Sequence, residues 1–454
     1  MRPAFALLLL AACGDDRAPD VLDRLNALPG VAVAEIPAAE SGLDPQFRYF
    51  DLYFTQPEDH SGTKRDAIFL QYAALIHRRD DAPLVVYAGG YNASRTHTLT
   101  EPAAMLDANQ ISLEYRFYGK SRGEEIDWPY LDVTDAQEDQ HAIVQAMETI
   151  YPGVPHVATG GSKGGEHALE AMRLHPEDYD AVVAYVPPVI TDLPDPRYAT
   201  VLDDIGIADC RDRLRALQRA MLVRRPAMEA RANAEGSFRD VGLGKAVETA
   251  IVELEFSYWM EQTGNTDCAA IPAATASDDA LYAFLDRWSS PVAYGDTSQS
   301  ILGEQYTYQV LAQLGYPVWE HQHLDDLMMY SYEDMEPFLA EDAPVPTYDP
   351  FVARDLASWI ANDANRIMIV GGEWDPWGAG YPASVSPDGD ALRLIVPHGS
   401  HWSSGIYSLA PADNTAARAA LARWTGVPLT DARVVPALPE FRGDARAGVS
   451  VRAP

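Results

Sequence analysis

One short segment restricts the fold of this 454-residue chain more than any other. Residues 156–159 have a strand-like composition, residues 160–165 read Gly-Gly-Ser-Lys-Gly-Gly, and a helical pattern begins near Glu166. A strand, the spacing Gly-x-Ser-x-Gly and a helix form the nucleophile-elbow pattern, in which the glycines let neighbouring backbone pass without Cβ clashes. The segment therefore predicts a strained turn that exposes the hydroxyl of Ser162. A helix-capping turn is the competing interpretation, but four glycines around one serine exceed what a cap requires.

Short β-rich runs alternate with helical runs on both sides of this segment. Helical spacing of apolar residues occurs in Asp135–Ile150 and Gly165–Leu174. The predicted strands of this region are Tyr49–Phe54, Ala67–Ile76, Pro83–Tyr87, Ser112–Tyr115 and Val182–Val186. Strands that alternate with helices of this length predict an α/β fold with a mostly parallel sheet and helices on both faces.

The middle of the chain breaks this alternation. Between residues 191 and 350 the β-rich runs nearly vanish, and the strand pattern returns at Asn365–Val370 and Leu392–Val396. Long helical stretches, among them Cys210–Leu222, Leu243–Trp259 and Ala280–Trp288, fill the interval. We therefore expect an α/β-hydrolase fold with an inserted helical cap. The predicted organisation is a signal peptide at 1–13, a tether and N-terminal extension at 14–44, the core at 45–190 and 351–454, and the cap at 191–350.

Two loops after the returning strands hold the partners that a nucleophilic serine needs. A base must deprotonate the hydroxyl and a third group must orient that base, and in α/β-hydrolases they follow in the order Ser, Asp or Glu, His. Asp375 lies at a turn before a proline and is preferred to Glu373, which is closer to the strand. His401 lies deeper in the second loop than His398, which could simply cap the strand. Ser162, Asp375 and His401 are thus the predicted catalytic triad.

Backbone amides are the expected stabilisers of a tetrahedral intermediate. The amide of Lys163, at the positive end of a helix, is one predicted donor. The loop after the third predicted strand supplies the other, and its composition favours the amides of Gly90 and Tyr91 without separating them. The side chain of Lys163 could suggest a Ser-Lys mechanism, but an adjacent residue normally points elsewhere. The pair His321 and His323 lacks further ligands, so we expect no metal.

Charge and leader sequence bear on where the protein works. With 67 acidic and 34 basic residues the net charge is −33, which disfavours nucleic acid as a partner. Arg2, a short apolar run and the sequence Leu-Ala-Ala before Cys13 are typical of a bacterial lipoprotein signal, in which Cys13 is lipidated. An ordinary signal peptide is the alternative. We therefore expect a periplasmic or cell-surface lipoprotein, or a secreted protein, with membrane association only through a lipid anchor.

The other two cysteines, Cys210 and Cys268, lie in the predicted cap. An oxidising compartment would permit them to form a disulfide that closes a long loop. Two buried free thiols are the alternative, because sequence does not show whether the two Cα atoms come within reach.

Two segments before the elbow read Glu-Tyr-Arg-Phe-Tyr-Gly-Lys-Ser-Arg at 114–122 and Asp-Trp-Pro-Tyr-Leu at 127–131. They resemble the Glu-His-Arg-Phe-Phe-Gly-x-Ser and Asp-Trp-x-Tyr-Leu segments of a known family, the bacterial PS-10 type serine peptidases of family S37. Gly372–Trp377 resembles Gly-Glu-x-Asp-Pro-Trp, and Ser400-His401 resembles Asn-His, which strengthens the choice of His401. Within the cap, Gln305–Gln309 is similar to this group and to the related family S28.

The resemblance implies an exported aminopeptidase, of tripeptidyl or prolyl type, that acts on peptides with free N-termini through an acyl-enzyme and without a cofactor. Such an enzyme must hold the substrate's ammonium group, because a buried cation without partners is costly. Glu304, beside the family-like cap segment, is the residue that we expect to bind it. An esterase or lipase of the same fold and an inactive binding lipoprotein are the alternatives. The oligomeric state stays open.

Overall fold

A mixed sheet organises the computed structural model, which describes residues 19–64, 67–93, 96–262, 267–296, 303–332 and 335–431. Nine strands from these residues form one sheet in the order β1-β2-β3-β5-β4-β6-β7-β8-β9. Their bounds are β1 Val31–Ile36, β2 Arg48–Pro57, β3 Ile68–His77, β4 Leu84–Ala88, β5 Asn109–Leu113, β6 His156–Gly161, β7 Ala181–Tyr185, β8 Ile367–Gly372 and β9 Leu392–Val396. The strands from β5 to β9 run parallel, and β1 to β3 pair antiparallel at one edge.

Helices cover both faces of the sheet and fill the middle of the chain. Within the described residues their bounds are α1 Val21–Asn26, α2 Ala38–Ser41, α3 Glu101–Met105, α4 Val133–Ile150, α5 Lys163–Leu174, α6 Val201–Asp204, α7 Ala208–Val223, α8 Arg225–Glu235, α9 Leu243–Glu261, α10 Asp278–Trp288, α11 Glu304–Gln309, α12 Phe351–Asn362 and α13 Pro411–Thr425. No helix among the described residues is long and apolar enough to cross a bilayer.

The central strands are apolar because both faces of the sheet are buried. Every residue of β4, β5, β6, β7 and β8 is buried. One face packs against apolar residues of α1, α4, α5 and α12, and the other face packs against α3 and α13. Buried parallel strands sandwiched by helices are the expected arrangement for this class, and the predicted α/β-hydrolase architecture is confirmed.

The helices between β7 and β8 share a separate hydrophobic core. Residues of α7, α8, α9 and α10 pack together there, and Trp259 of α9 is fully buried. This helical layer falls within the segment 191–350 that the sequence marks as an insertion. The next helix, α12, packs instead on the sheet. Because β8 and β9 complete the sheet after the insertion, the cap sits over the ends of strands from both halves of the chain.

One strand lies where the sequence indicated a tether and N-terminal extension. Residues 31–36 pair antiparallel with β2 and form the edge of the sheet, so this part of the segment 14–44 belongs to the core. The strand escaped prediction because its residues are small and its exposure alternates without one buried face. The strand predicted at Ser112–Tyr115 also begins earlier, at Asn109, because polar Asn109 and Gln110 are fully buried within it.

Candidate active site

Ser162 occupies the turn between β6 and α5. Its backbone has φ 55° and ψ −131°, a conformation that residues with a side chain rarely adopt. The turn is tight enough that a Cβ on Gly160 would lie 2.2 Å from the carbonyl oxygen of Gly164, and a Cβ on Gly164 would lie 2.2 Å from that of Ala88. The glycines that predicted the elbow are therefore required by close backbone contacts, and they leave the serine side chain at the end of the parallel strands.

His401 and Asp375 form a buried pair in the loops after β9 and β8. His401 Nδ1 lies 2.6 Å from Oδ2 of Asp375, and both side chains are almost inaccessible to solvent. The amide of Trp377 donates to Oδ1 at 3.0 Å, and the hydroxyl of Tyr381 donates to Oδ2. Burial raises the pKa of Tyr381 well above its ordinary value, so this hydroxyl stays protonated as a donor. The carboxylate is thus fixed by three groups, and Nε2 of the imidazole is left for a substrate or nucleophile.

Glu373 and His398, the alternative candidates for these roles, are bonded to each other instead. The amide of His398 donates to Oε2 of Glu373 at 2.8 Å, and the His398 ring stacks on Trp374 with centroids 4.2 Å apart. Neither contact leads toward Ser162, whereas His401 lines the same cavity as Ser162 and its ring is bonded to Asp375.

Ser162 and His401 line the same cavity, which has a volume of about 280 Å³. The described residues contain no hydrogen bond between the two side chains; in serine hydrolases this bond commonly tightens only when substrate binds. The amide of His401 donates to the carbonyl of Met260 at 3.2 Å. Helix α9 of the cap therefore touches the loop of His401 directly.

The predicted oxyanion donors lie beside the serine. Lys163 is the first residue of α5, and the Gly89–Tyr91 loop packs on the first turn of that helix. Among the hydrogen bonds of the described residues, none uses the amides of Lys163, Gly90 or Tyr91. These amides are thus available to a developing oxyanion, and the arrangement can support acyl transfer to water.

Comparisons with known proteins identify the family of the chain. The family described as PS-10 peptidase S37 matches residues 14–446. The chain belongs to this family. A curated relative, the prolyl tri/tetrapeptidyl aminopeptidase of Streptomyces mobaraensis, is 34% identical over 419 residues, which cover 90% of this chain and 85% of that protein. The resemblance seen in the sequence is confirmed, and the chain is a serine hydrolase of the peptidase class.

The solved structures that match the chain do so at low sequence identity and low TM-score. The peroxisomal α/β-hydrolase Lpx1 of Saccharomyces cerevisiae is 13% identical, with 83% of this chain and 88% of that chain covered and a TM-score of 0.37. The proline iminopeptidase of Mycobacterium smegmatis is 15% identical, with 82% and 98% covered and a TM-score of 0.37.

The carboxylates facing the cavity of this S37 peptidase are not the one predicted. Glu304 pairs with Arg122 at 3.1 Å, and its neighbours Gly303, Gln305 and Tyr306 line the cavity without it. The cavity is lined instead by Glu253 of the cap and Glu166 of α5. The structure therefore does not bring Glu304 to the cavity. The sequence does not single out Glu253, since Glu255 interrupts the same apolar stretch from Ile251 to Phe256.

Burial shapes both cavity carboxyl groups. Burial raises the pKa of Glu253 to about 7, while hydrogen bonds from Tyr332 and Tyr316 lower it. Both hydroxyls donate to Oε1, and no hydrogen bond among the described residues uses Oε2. Burial and the neighbouring Glu170 raise the pKa of Glu166 well above its ordinary value, while Lys163 lowers it. Glu253 is therefore the cavity carboxyl poised to ionise beside a cation.

The cysteines fall into two groups. Cys210 and Cys268 are joined by a disulfide in the cap, with Cα atoms 4.9 Å apart. Of the alternatives that the sequence left open, the structure therefore has the bonded form. Cys13, the predicted lipidation site, and the signal at 1–13 lie outside the described residues.

Side chains able to bind a metal occur away from the active site. His321 and His323 instead bond the carbonyl of Trp319 and the side chain of Gln218. Among the described residues, one cluster has ligand atoms within 4.8 Å of one another, formed by His141, His175 and Glu177. It lies at the C-terminal end of α5, about 18 Å along the helix from Ser162 by helix rise, so it plays no part in the acyl-transfer chemistry.

Proposed function

We propose that this protein is an exported serine aminopeptidase that releases peptides of three or four residues from free N-termini. Its membership in family S37 and the activity named for the Streptomyces relative support the substrate class. The observation that carries the proposal is one cavity holding Ser162, His401 and the buried carboxyl of Glu253. That combination joins acyl-transfer chemistry to a site for a cation.

The catalytic steps follow from the positions of the side chains. His401 takes the proton of Ser162 as Oγ attacks the scissile carbonyl, and Asp375 stabilises the imidazolium that forms. The amides of Lys163 and the Gly89–Tyr91 loop hold the oxyanion. Collapse breaks the C–N bond, and the leaving amine takes the proton from His401. Water then attacks the acyl-enzyme by the same steps and frees the short peptide and the serine.

Helix α9 sets a distance that suits a short N-terminal peptide. Glu253 and Met260 are seven residues apart on this helix, or about 10 Å along its axis, and Met260 contacts the backbone of His401. Three residues of extended peptide span about 10 Å. A substrate whose third residue acylates Ser162 can therefore place its ammonium group beside Glu253. Glu166 lies only one helical turn from Ser162 and is too near for this role.

The walls between these two ends suit an apolar residue such as proline. Aromatic rings line the cavity, and they include Phe256, Tyr294, Trp319, Trp377 and Trp402. Flat rings provide a large apolar surface for a rigid pyrrolidine ring. This lining supports the prolyl preference named for the relative.

The test compares Ala-Ala-Pro-p-nitroanilide with a free and with an acetylated N-terminus. We expect the free peptide to be hydrolysed at least about 30-fold faster in kcat/KM, since removing one partner of a buried charge pair costs about 2 kcal/mol or more. Glu253→Gln should lower kcat/KM for the free peptide to the value for the acetylated peptide. Glu304→Gln, which removes a carboxylate outside the cavity, should not. Ser162→Ala should abolish both rates.

Two outcomes would overturn the proposal. Equal rates for the free and acetylated peptides would remove the exopeptidase function. Hydrolysis of p-nitrophenyl butyrate without hydrolysis of either peptide would favour the esterase alternative.

Export is part of the same proposal. The leader sequence ending in Cys13 supports it, and so does the disulfide of the cap, because such bonds persist in oxidising compartments. Radiolabelled palmitate supplied to a bacterial host should label the wild-type chain and leave Cys13→Ser unlabelled. A labelled Cys13→Ser variant, or a wild-type chain found only in the cytoplasmic fraction, would contradict this part.

A further inference from the structure

The side chain of Lys163 is buried beside the nucleophile, yet the catalytic steps use only its backbone. Its amino group donates to the carbonyl oxygen of Gly90. It lies 3.6 Å from the ring centre of Tyr115 and 4.9 Å from those of Tyr91 and Tyr118. The side chain is 5% exposed. A polar group placed so deeply, with one backbone acceptor, indicates a defined task.

The acceptor belongs to the peptide unit that links Gly90 to Tyr91. A trans peptide is planar, and its C=O and N–H point in opposite directions. A bond that fixes the direction of the Gly90 carbonyl therefore also fixes the direction of the Tyr91 N–H. Since the amino group of Lys163 holds the carbonyl on one side, the amide is turned to the other. This peptide unit thus has its orientation set by the residue that follows the nucleophile.

Close packing leaves this loop little freedom to adopt another position. Gly90 has φ +76°, and a Cβ there would lie 2.6 Å from the amide nitrogen of Gly164. The carbonyl of Tyr91 accepts a hydrogen bond from the amide of Tyr115 at 2.9 Å. Packing therefore holds Gly90, and a hydrogen bond holds the carbonyl of Tyr91. The bond from Lys163 determines the rotation of the peptide unit between them.

We propose that the side chain of Lys163 is a positioning group that selects the Tyr91 amide as the second oxyanion donor. The residue would supply one donor through its own backbone and orient the other through its side chain. This inference rests on the proposed acyl-transfer function, and it decides between the Gly90 and Tyr91 amides, which the sequence left equivalent.

The hydrogen bond from Lys163 to the Gly90 carbonyl does not require a charged lysine. Burial lowers the pKa of Lys163 well below its ordinary value, and the carboxyl groups of Glu170 and Glu166 oppose that effect. The ammonium and the neutral amine both carry an N–H that can bond the carbonyl. What the site needs is a donor at this position, and this need defines the variants to compare.

The test uses Lys163→Met, which keeps the length of the stem and removes the donor, and Lys163→Gln, which keeps an N–H on a shorter chain. Lys120→Met is the matched control, since Lys120 also lies over a tyrosine ring, Tyr72 at 3.7 Å, but is half-exposed. Each variant is assayed for p-nitrophenyl acetate hydrolysis, for the fluorophosphonate labelling rate and for inhibition by a peptide boronic acid. The boronate adduct places a negative oxygen where the oxyanion forms, and thermal unfolding reports the fold.

For Lys163→Met we expect a roughly 10- to 100-fold loss in kcat with KM changed less than about threefold, since deleting an oxyanion donor outright costs roughly 100- to 1,000-fold. Boronate affinity should fall in parallel with kcat. The kcat of Lys163→Gln should lie between those of Lys163→Met and the wild type, and the kcat of Lys120→Met should match the wild type. Wild-type rates, a rise in KM alone, or failure of both Lys163 variants to fold would overturn the inference. Because p-nitrophenyl acetate and fluorophosphonates have no N-terminus, these readouts stand even if the exopeptidase proposal fails.

Discussion

Replacing Glu253 by Gln should make the protein more stable while it damages substrate recognition. The carboxyl group is buried in the cap, its partners are the hydroxyls of Tyr316 and Tyr332, and burial raises its pKa to about 7. Glutamine has the same shape, and its carbonyl oxygen can accept from both hydroxyls. The variant therefore removes the ionisable group and leaves the packing in place.

The sign and size of the effect follow from the difference in pKa. The folded protein binds this proton more tightly than the unfolded chain, whose carboxyl has the ordinary value of 4.5. The free energy of unfolding of the wild type therefore falls as pH rises from about 4.5 to about 7. At about 1.4 kcal/mol per pKa unit, the loss amounts to about 3 kcal/mol. Glu253→Gln has no such loss, so its advantage over wild type should grow through this window and level off above it.

Urea denaturation of both proteins between pH 4 and pH 8 measures this difference directly. Groups that titrate in both proteins cancel, and the remaining difference reports on position 253. A difference that stays flat across the window, or a variant that is less stable than wild type at pH 8, would refute the account of a carboxylate kept in the cavity at the expense of stability.

Three further predictions concern the triad and the cap. Asp375→Asn should lower kcat by roughly 10³- to 10⁴-fold with an unchanged fold, because His401 loses the anion that orients it and stabilises its charged form; steady-state kinetics and circular dichroism check this. Tyr381→Phe removes one hydrogen bond to the same carboxylate and should lower kcat roughly tenfold with KM unchanged, whereas a rise in KM alone would contradict the role. Cys210→Ser opens a loop with a sequence separation of 58 residues and should lower the free energy of unfolding by about 2–5 kcal/mol, while an unchanged urea midpoint would show that the bond to Cys268 adds nothing.

Most of the fold was readable from the sequence because its signals are local. The bounds of β9 agree with the predicted Leu392–Val396, and α9 ends two residues beyond the predicted Leu243–Trp259. The edge strand β1 was missed because its short, half-exposed residues carry a weak pattern. Local composition identifies elements that bury an apolar face, and it says little about those that do not.

The site was predictable to the extent that chain order and loop position determine it. Asp375 and His401 follow successive parallel strands, whose C-terminal ends meet at one edge of the sheet. The proposed ammonium site was not predictable in this way, because it depends on which side of a cap helix faces inward. On α11 one residue turns the direction by about 100°, so Gln305 lines the cavity while Glu304 reaches Arg122. Only the packing of the cap on the core brings Glu253 to the cavity.

The central claim is that Ser162 and His401 act on one substrate in a single cavity, and a chloromethyl ketone of an Ala-Ala-Pro peptide tests it most directly. Its carbonyl is attacked by the serine, and the histidine displaces the chloride, so one reagent records both side chains. Peptide mapping by mass spectrometry should find one equivalent bound, on His401, with the reaction strongly slowed in Ser162→Ala. Alkylation at His398 or at another histidine, or a rate at His401 that does not depend on Ser162, would contradict the claim.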